Sequence, residues 1–194
     1  MDFKVLAARR RTVRFYQRKA VAEEHLLHLI DVARRAPSAA NNQILRYTVV
    51  RNPDRVQAVF LHTAWAGRVK PKRTPEWGFN APPAFIAVSA VKNGPALPPL
   101  AYADAGAAVK AMQYAATDAN LGSCWIGAFK AREVAALLEI PDSEQLLFLL
   151  AVGHPAEAPV QDEIGMGDDV GYYLDTFDVL HVPKYSVKAI TRIL

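Results

Sequence analysis

The sequence predicts one domain in which helices and strands are mixed from end to end, and three observations carry that expectation. Apolar residues recur at helical spacing in some stretches and form unbroken β-rich runs in others, with the two patterns interleaved along the chain. At 194 residues the chain can build one ordinary core, and no repeat or second core follows it. A hydrophobic content of 52% with 22% charged residues is the balance of a globular protein.

The elements follow in order. Glu23 and Glu24 suit a helix N-terminus, Leu26, Leu29, Ile30 and Ala33 continue at helical spacing, and Pro37 closes that helix. Tyr47 to Val50 is a short strand, and Asn52-Pro53-Asp54 starts a helix with proline at an early position. From Gly67 to Pro83 the composition turns to Lys, Arg, Pro, Gly and aromatics. With Trp65 just before it and Trp77 and Phe79 inside, this reads as a long surface loop or lid, its aromatics equally open to a place in a lid or to core or surface packing.

Phe85 to Val91 is a buried strand, ended by Lys92-Asn93-Gly94-Pro95 and Pro98-Pro99. Asp104 to Leu121 is alanine-rich and almost free of breakers, a long helix whose small residues admit a close helical neighbour. Ser123 to Ile126 reads as a strand, Lys130 to Leu138 as a helix and Leu146 to Val152 as a fully buried central strand. Beyond Pro155 the chain becomes acidic, glycine-containing and aromatic, with a hairpin through Tyr172-Tyr173 and Val179 to Val182. Residues 1–194 are therefore read as a single domain, with 156–194 as a C-terminal arm.

Charge is unevenly spread. The net value is +4, yet basic residues concentrate between Arg9 and Lys19 and between Arg68 and Arg73, and acidic ones between Asp162 and Asp178. That asymmetry favours an anionic ligand near the basic segments over a uniformly basic nucleic-acid surface. The single cysteine, Cys124, excludes an intrachain disulfide and a thiolate metal cluster, and reads as a small buried hydrophobe. No signal-like N-terminus or membrane-length apolar run is present, since the longest run, Leu146 to Gly153, is strand-sized; a cytoplasmic location is expected.

Motif spacing removes several chemistries. Gly165-Met166-Gly167-Asp168-Asp169-Val170 lacks the third glycine of a dinucleotide fingerprint, and its aspartates would repel a pyrophosphate. Gly122 and Gly127 have P-loop separation, but Ala128 and Phe129 stand where Lys-Ser/Thr is required. His25, His28 and Asp31 share part of a helix face without a carboxylate clamp, so no metal is expected. Ser123 beside Cys124 has no base partner, which speaks against hydrolysis and covalent catalysis. The run Arg9, Arg10, Arg11, Arg14, Arg18, Lys19, interleaved with Phe15 and Tyr16, is open to a rival reading as a single-stranded nucleic-acid site.

Several blocks nevertheless occur in one telling order: Arg10-Arg11-Thr12-Val13-Arg14-Phe15, Ala36-Pro37-Ser38-Ala39-Ala40-Asn41-Asn42-Gln43, Asp104-Ala105-Gly106-Ala107-Ala108, Asn120 to Phe129, and Val152-Gly153-His154-Pro155. Together they resemble the nitroreductase family. The resemblance implies an α+β fold around a mixed, antiparallel-rich sheet flanked by helices, and a homodimer with FMN sites at its interface. It places Arg10, Arg11 and Thr12 at the FMN phosphate and ribityl chain, and Arg14 at the N1 and C2 carbonyl edge. Ser38, Ala39 and Asn41 would come from the other subunit on a turn shaped by Pro37, while Ile126, Gly127 and Ala128 would bring backbone groups to the N4 and N5 side. Lys184 would be a second basic phosphate contact. Ile44 and Leu45 stand where many members carry proline and an aromatic, and Ser186 where an arginine is usual.

The activity so implied passes a hydride from NADH or NADPH through FMN to a small conjugated acceptor, such as a nitroaromatic or quinone, in two steps. FMN carries the chemistry and no side chain need be catalytic. No membrane or nucleic-acid partner is expected. A flavin-binding sensor or carrier without turnover, and a nucleic-acid-binding module, are the alternatives.

Overall fold

The computed structural model describes residues 2–67, 69 and 73–194. Helix α1 (Phe3–Arg9) is started by the Asp2 carboxylate, which accepts from the Lys4 and Val5 amides. Helix α2 (Glu23–Ala33) buries Leu26, Leu29 and Ala33, and ends four residues before Pro37 because Arg34 already caps it. Strand β1 (Leu45–Val50) leads to α3 (Pro53–Phe60), where the Asn52 side chain accepts from the Asp54 and Arg55 amides and Pro53 occupies the first turn. Strand β2 (Ala84–Val91), the 18-residue helix α4 (Ala101–Asp118), β3 (Gly122–Ile126), α5 (Ala131–Leu137) and β4 (Glu144–Gly153) follow.

These strands form one antiparallel sheet in the order β1-β2-β4-β3. Both faces of it are covered, so β2 reads as a continuous apolar run. Ile86, Val88, Leu150 and Val152 join α2 and α4 on one side. Phe85, Ala87, Leu149 and Ala151 join α3 and α5 on the other, with Val13, Tyr16 and Trp65 closing that layer. The fold is α+β.

A second sheet occupies the C-terminal region: β5 (Val160–Ile164), β6 (Tyr173–Leu174) and β7 (Leu180–Tyr185), in the order β5-β7-β6. The expected hairpin is the antiparallel β6–β7 pair, and β5 adds a parallel partner from a polar stretch. A one-turn helix, α6 (Val187–Ile190), precedes the C-terminus.

The segment read as a surface loop or lid is a loop over its described residues 73–83, but its placement at the surface requires correction. Trp65, Val69 and Arg73 are buried, Trp77 packs against the second core layer, and the Phe60 ring lies 6.0 Å from Trp65 and 5.6 Å from Trp77. Polarity misled the reading because Arg73 is buried with a charge partner. Phe79 alone of these aromatics is well exposed, at 69%. Residues 68 and 70–72 of the second basic run lie outside the described residues.

Candidate functional site

The basic N-terminal run does not form a free tail. Residues 12–16 cross the open end of β3 and β4: the Val13 amide donates to the Ser123 carbonyl at 3.0 Å, the Gln17 amide to His154 at 2.9 Å and the Ala156 amide to Phe15 at 2.9 Å. Glycines permit this approach. A Cβ on Gly122 would lie 2.7 Å from the Val13 side chain, and one on Gly153 would lie 2.6 Å from both Pro83 and Tyr16. Of the glycines in the downstream motifs, Gly122 and Gly153 thus leave the room in which the basic segment is seated.

Its side chains take divergent courses. Tyr16 is fully buried, and its hydroxyl donates to the Val13 carbonyl at 2.7 Å. Phe15 lies beneath the Arg73 guanidinium, 4.5 Å from its ring centre. Tyr16 is thus unavailable for stacking with bases and one face of Phe15 is covered by Arg73, which weakens the nucleic-acid reading. Arg11 is buried as well: its Nη2 donates to the Ala7 carbonyl at 2.9 Å and its Nε to Ala8 at 3.2 Å, closing the end of α1.

Arg10 turns toward the C-terminal half of α4. Its Nε is buried with no hydrogen-bond partner among the described residues, and burial lowers the affinity of its guanidinium for the proton. Lys110 lies nearby with its Nζ 4.6 Å from the Tyr114 ring centre. Burial, and then the charges of Arg10, Arg11 and Lys184, push the Lys110 ammonium down to about 8. Four cations from α1's exit, α4 and β7 therefore converge on one region. Sequence reading found Arg10, Arg11 and Lys184 and missed Lys110, which stands alone in an apolar helix with no local basic neighbour to signal it.

The Pro37–Asn41 turn sits at the opposite end of α4. Ala40 and Asn41 adopt φ of 51° and 54°, and the buried Asp104 carboxylate accepts from the Ala39 amide at 3.0 Å. The Ser38 hydroxyl accepts from the Gln43 amide at 3.3 Å. A cavity of about 160 Å³ lies beside this turn, lined by Pro37, Ser38, Arg46, Tyr47, Asp104 and Ala108.

Ile126 is buried, whereas Gly127 and Ala128 are exposed where β3 leaves the sheet. The Ala128 carbonyl accepts from the Ala64 amide at 2.8 Å. Just before them, Trp125 stands edge-on to Phe148 at 4.9 Å, and Phe148 edge-on to Tyr102 at 5.9 Å. Trp125 also lies over Gly106, 3.5 Å from where a Cβ would be. Tyr102, Gly106, Lys110 and Tyr114 are spaced by four along α4 and share one stripe. That stripe runs from the aromatic group to the cation cluster.

Arg14 is half-buried close to Cys124, whose thiol burial pushes up to about 11 although the Arg14 charge opposes the shift. The Arg14 guanidinium makes no hydrogen bond or ion pair with the described residues. Its backbone amide donates to Glu157, as does that of Phe15 at 3.1 Å. Glu157 and its partner Arg73, at 2.8 Å, were not singled out in the sequence. In the pairs His25–Asp31 and His28–Asp31 the carboxylate is committed elsewhere, since Asp31 accepts from Arg34 at 2.7 Å and Arg35 at 2.9 Å.

Residues 7–154 match the model of the nitroreductase family, and the chain belongs to that family. It is an oxidoreductase of that kind. It is 26% identical over 163 residues to a protein of Methanothermobacter thermautotrophicus provisionally named NADH dehydrogenase/NAD(P)H nitroreductase, covering 82% of this chain and 80% of that one. An Archaeoglobus fulgidus protein of the same provisional name is 26% identical over 153 residues, or 76% and 82% of the two chains. Among solved structures, a nitroreductase family protein of Clostridium novyi superposes with a TM-score of 0.67 at 23% identity, covering 84% of this chain and 89% of that one. A provisionally named nitroreductase of Desulfovibrio desulfuricans in complex with FMN superposes with a TM-score of 0.65 at 25% identity, covering 86% and 93%. Among the described residues, no helix is long and apolar enough to cross a membrane.

Proposed function

We propose that this chain is an FMN-dependent NAD(P)H oxidoreductase acting on a small conjugated acceptor. The observation that carries the proposal is the Arg10 Nε, buried with no hydrogen-bond partner among the described residues, and the charges of Arg11, Lys110 and Lys184 around it support the same reading. Such a donor set fits a phosphate monoester: it offers several cations, one of them a planar fork, and its mutual repulsion is relieved by an anion. Arg10, Lys110 and Lys184 would hold the phosphate, with Thr12 at the ribityl chain. Arg11 would act mainly through its field, because its donors already serve the end of α1.

When bound, FMN supplies the two-electron chemistry that carries a hydride from NADH or NADPH to an acceptor such as a nitroaromatic or quinone, in two half-reactions. The protein's part is placement and electrostatics. The unpaired Arg14 cation would stabilise negative charge at the N1 and C2 carbonyl edge. Pro37, Ser38, Ala39 and Asn41 of a second subunit, with Ile126, Gly127 and Ala128 of the first, would complete the surround. Cys124 remains a thiol at neutral pH and takes no part. A homodimer is part of this reading, with the arm of residues 156–194 bringing Lys184 to the phosphate.

The purified protein should be yellow, or become so on reconstitution with FMN, and should oxidise NADH or NADPH when a quinone or nitroaromatic is added. Failure to bind FMN would overturn the proposal. FMN binding without turnover on either reductant would favour a flavin sensor or carrier.

A further inference from the structure

Glu157 is a buried carboxylate that binds backbone. One oxygen accepts from the Arg14 and Phe15 amides, and the other pairs with Arg73 Nη2 at 2.8 Å, both side chains being 7% exposed. Arg73 also covers the Phe15 ring at 4.5 Å and reaches Asp178 at 3.6 Å. One ion pair thus joins three separate stretches of chain at the residue whose guanidinium is left free.

We propose that the Arg73–Glu157 pair positions Arg14: Glu157 fixes its backbone, and Arg73 neutralises Glu157 so that the Arg14 guanidinium is not drawn back onto it. An unneutralised carboxylate at the Arg14 amide would compete for that guanidinium at close range in a poorly solvated place, where charge attraction is strong. With Arg73 present, the Arg14 charge is available to a ligand. This rests on the reading that Arg14 serves the flavin edge.

Potentiometric titration of FMN-loaded protein tests it. Arg73→Gln should lower the equilibrium constant for FMN reduction by about tenfold, about 30 mV in a two-electron couple, and the same substitution in an Arg14→Ala background should have a much smaller effect. Glu157→Gln keeps an acceptor for both amides and removes the competing charge, so its midpoint should rise. It also serves should Arg73→Gln not fold. An unchanged midpoint in Arg73→Gln, an equal shift in the Arg14→Ala background, or a fall in Glu157→Gln would overturn the coupling while leaving Arg14 at the flavin. An unchanged midpoint in Arg14→Ala itself would remove Arg14 from the flavin edge, and the coupling with it.

Discussion

The two motif glycines show how much a single missing side chain decides. Gly153 lets the Tyr16 ring and the Pro83 ring meet over the end of β4, with 2.6 Å to each from where a Cβ would stand. Both neighbours are ring atoms, not the far ends of flexible side chains, and Tyr16 is fully buried, so the clash is not relieved by a simple rotation. Gly153→Ala should therefore cost about 1–3 kcal/mol, the range for overpacking, read as a lower midpoint in urea unfolding, and should weaken FMN binding because residues 12–16 are displaced. Full stability in Gly153→Ala would show that this crossing has room for a methyl group. Cys124 makes the opposite case. It is buried, its thiol is held protonated, and its sulfur has only a weak contact, 3.9 Å from the Trp125 carbonyl oxygen. Cys124→Ser should leave steady-state turnover within a few-fold of the parent, and loss of turnover in a folded, flavin-loaded variant would assign the thiol a role. Such residues were legible as motifs, because glycine and cysteine stand out in a sequence. Glu157 and Arg73 were not, since a buried ion pair between positions 84 residues apart leaves no local pattern.

At the scale of elements, local pattern was a good guide wherever burial was periodic. Helix α2, strands β2, β3 and β4, and the Asn52-capped start of α3 all lie within a few residues of their expected limits. Helix α1 and strand β5 were missed because neither carries a clear periodic apolar signal: α1 is two turns leading into a basic run, and β5 is a polar stretch held by a parallel partner about twenty residues away. The alanine face of α4 was legible as a packing face, but much of it is spent on α2 and the sheet of the same chain. The C-terminal sheet carries a feature with its own pH dependence. His181 on β7 has Asp162 of β5 at 2.8 Å from Nδ1 and Asp175 at 3.4 Å from Nε2, and its ring stacks on Tyr173 of β6 at 4.6 Å. The Tyr173 hydroxyl donates to Asp162 at 2.8 Å. Hydrogen bonding to Asp162 raises the His181 pKa, so its contribution is complete below the ordinary value of 6.5 and is lost as pH rises through the folded value. Asp162 is lowered chiefly by Tyr173 and Asp175 chiefly by the Val179 amide; their contributions are present above 3.8 and vanish on acidification. The sheet should be firmest between those limits. Amide exchange of β6 and β7, corrected for its intrinsic pH dependence, should quicken from about pH 5.5 to about pH 9, and His181→Gln should abolish that difference. A pH-independent rate in the parent would mean that the imidazole does not hold the sheet.

The whole molecule poses a problem of reach. Tyr114, which Arg10 faces, lies in the C-terminal half of α4, while the Ala39 amide is tied to Asp104, ten residues earlier and about 15 Å away along the axis, with Lys110 between them about 9 Å from Asp104. One chain thus presents the two sets of candidate residues at separate places. A second copy, applied so that its Pro37–Asn41 turn meets the first copy's cations and Trp125, would unite them twice by symmetry. Apolar surface suited to such a contact is present: Phe3, Val187, Ile190, Ile193 and Leu194 are all exposed. Burying them against a partner would remove apolar surface that a lone chain leaves in water. The protein should therefore sediment as a dimer of its 21.3 kDa chain, with an interface at or above about 2,000 Å², the size of an obligate contact. Dilution should not release a folded monomer that keeps FMN, since each site would lose Ser38 and Asn41. Truncation after Ser186 removes four of the exposed apolar residues and should weaken both dimer and FMN binding together. A monomer that stays folded and yellow at nanomolar concentration would show that one chain suffices, and would require a different arrangement of the Pro37–Asn41 turn around the flavin.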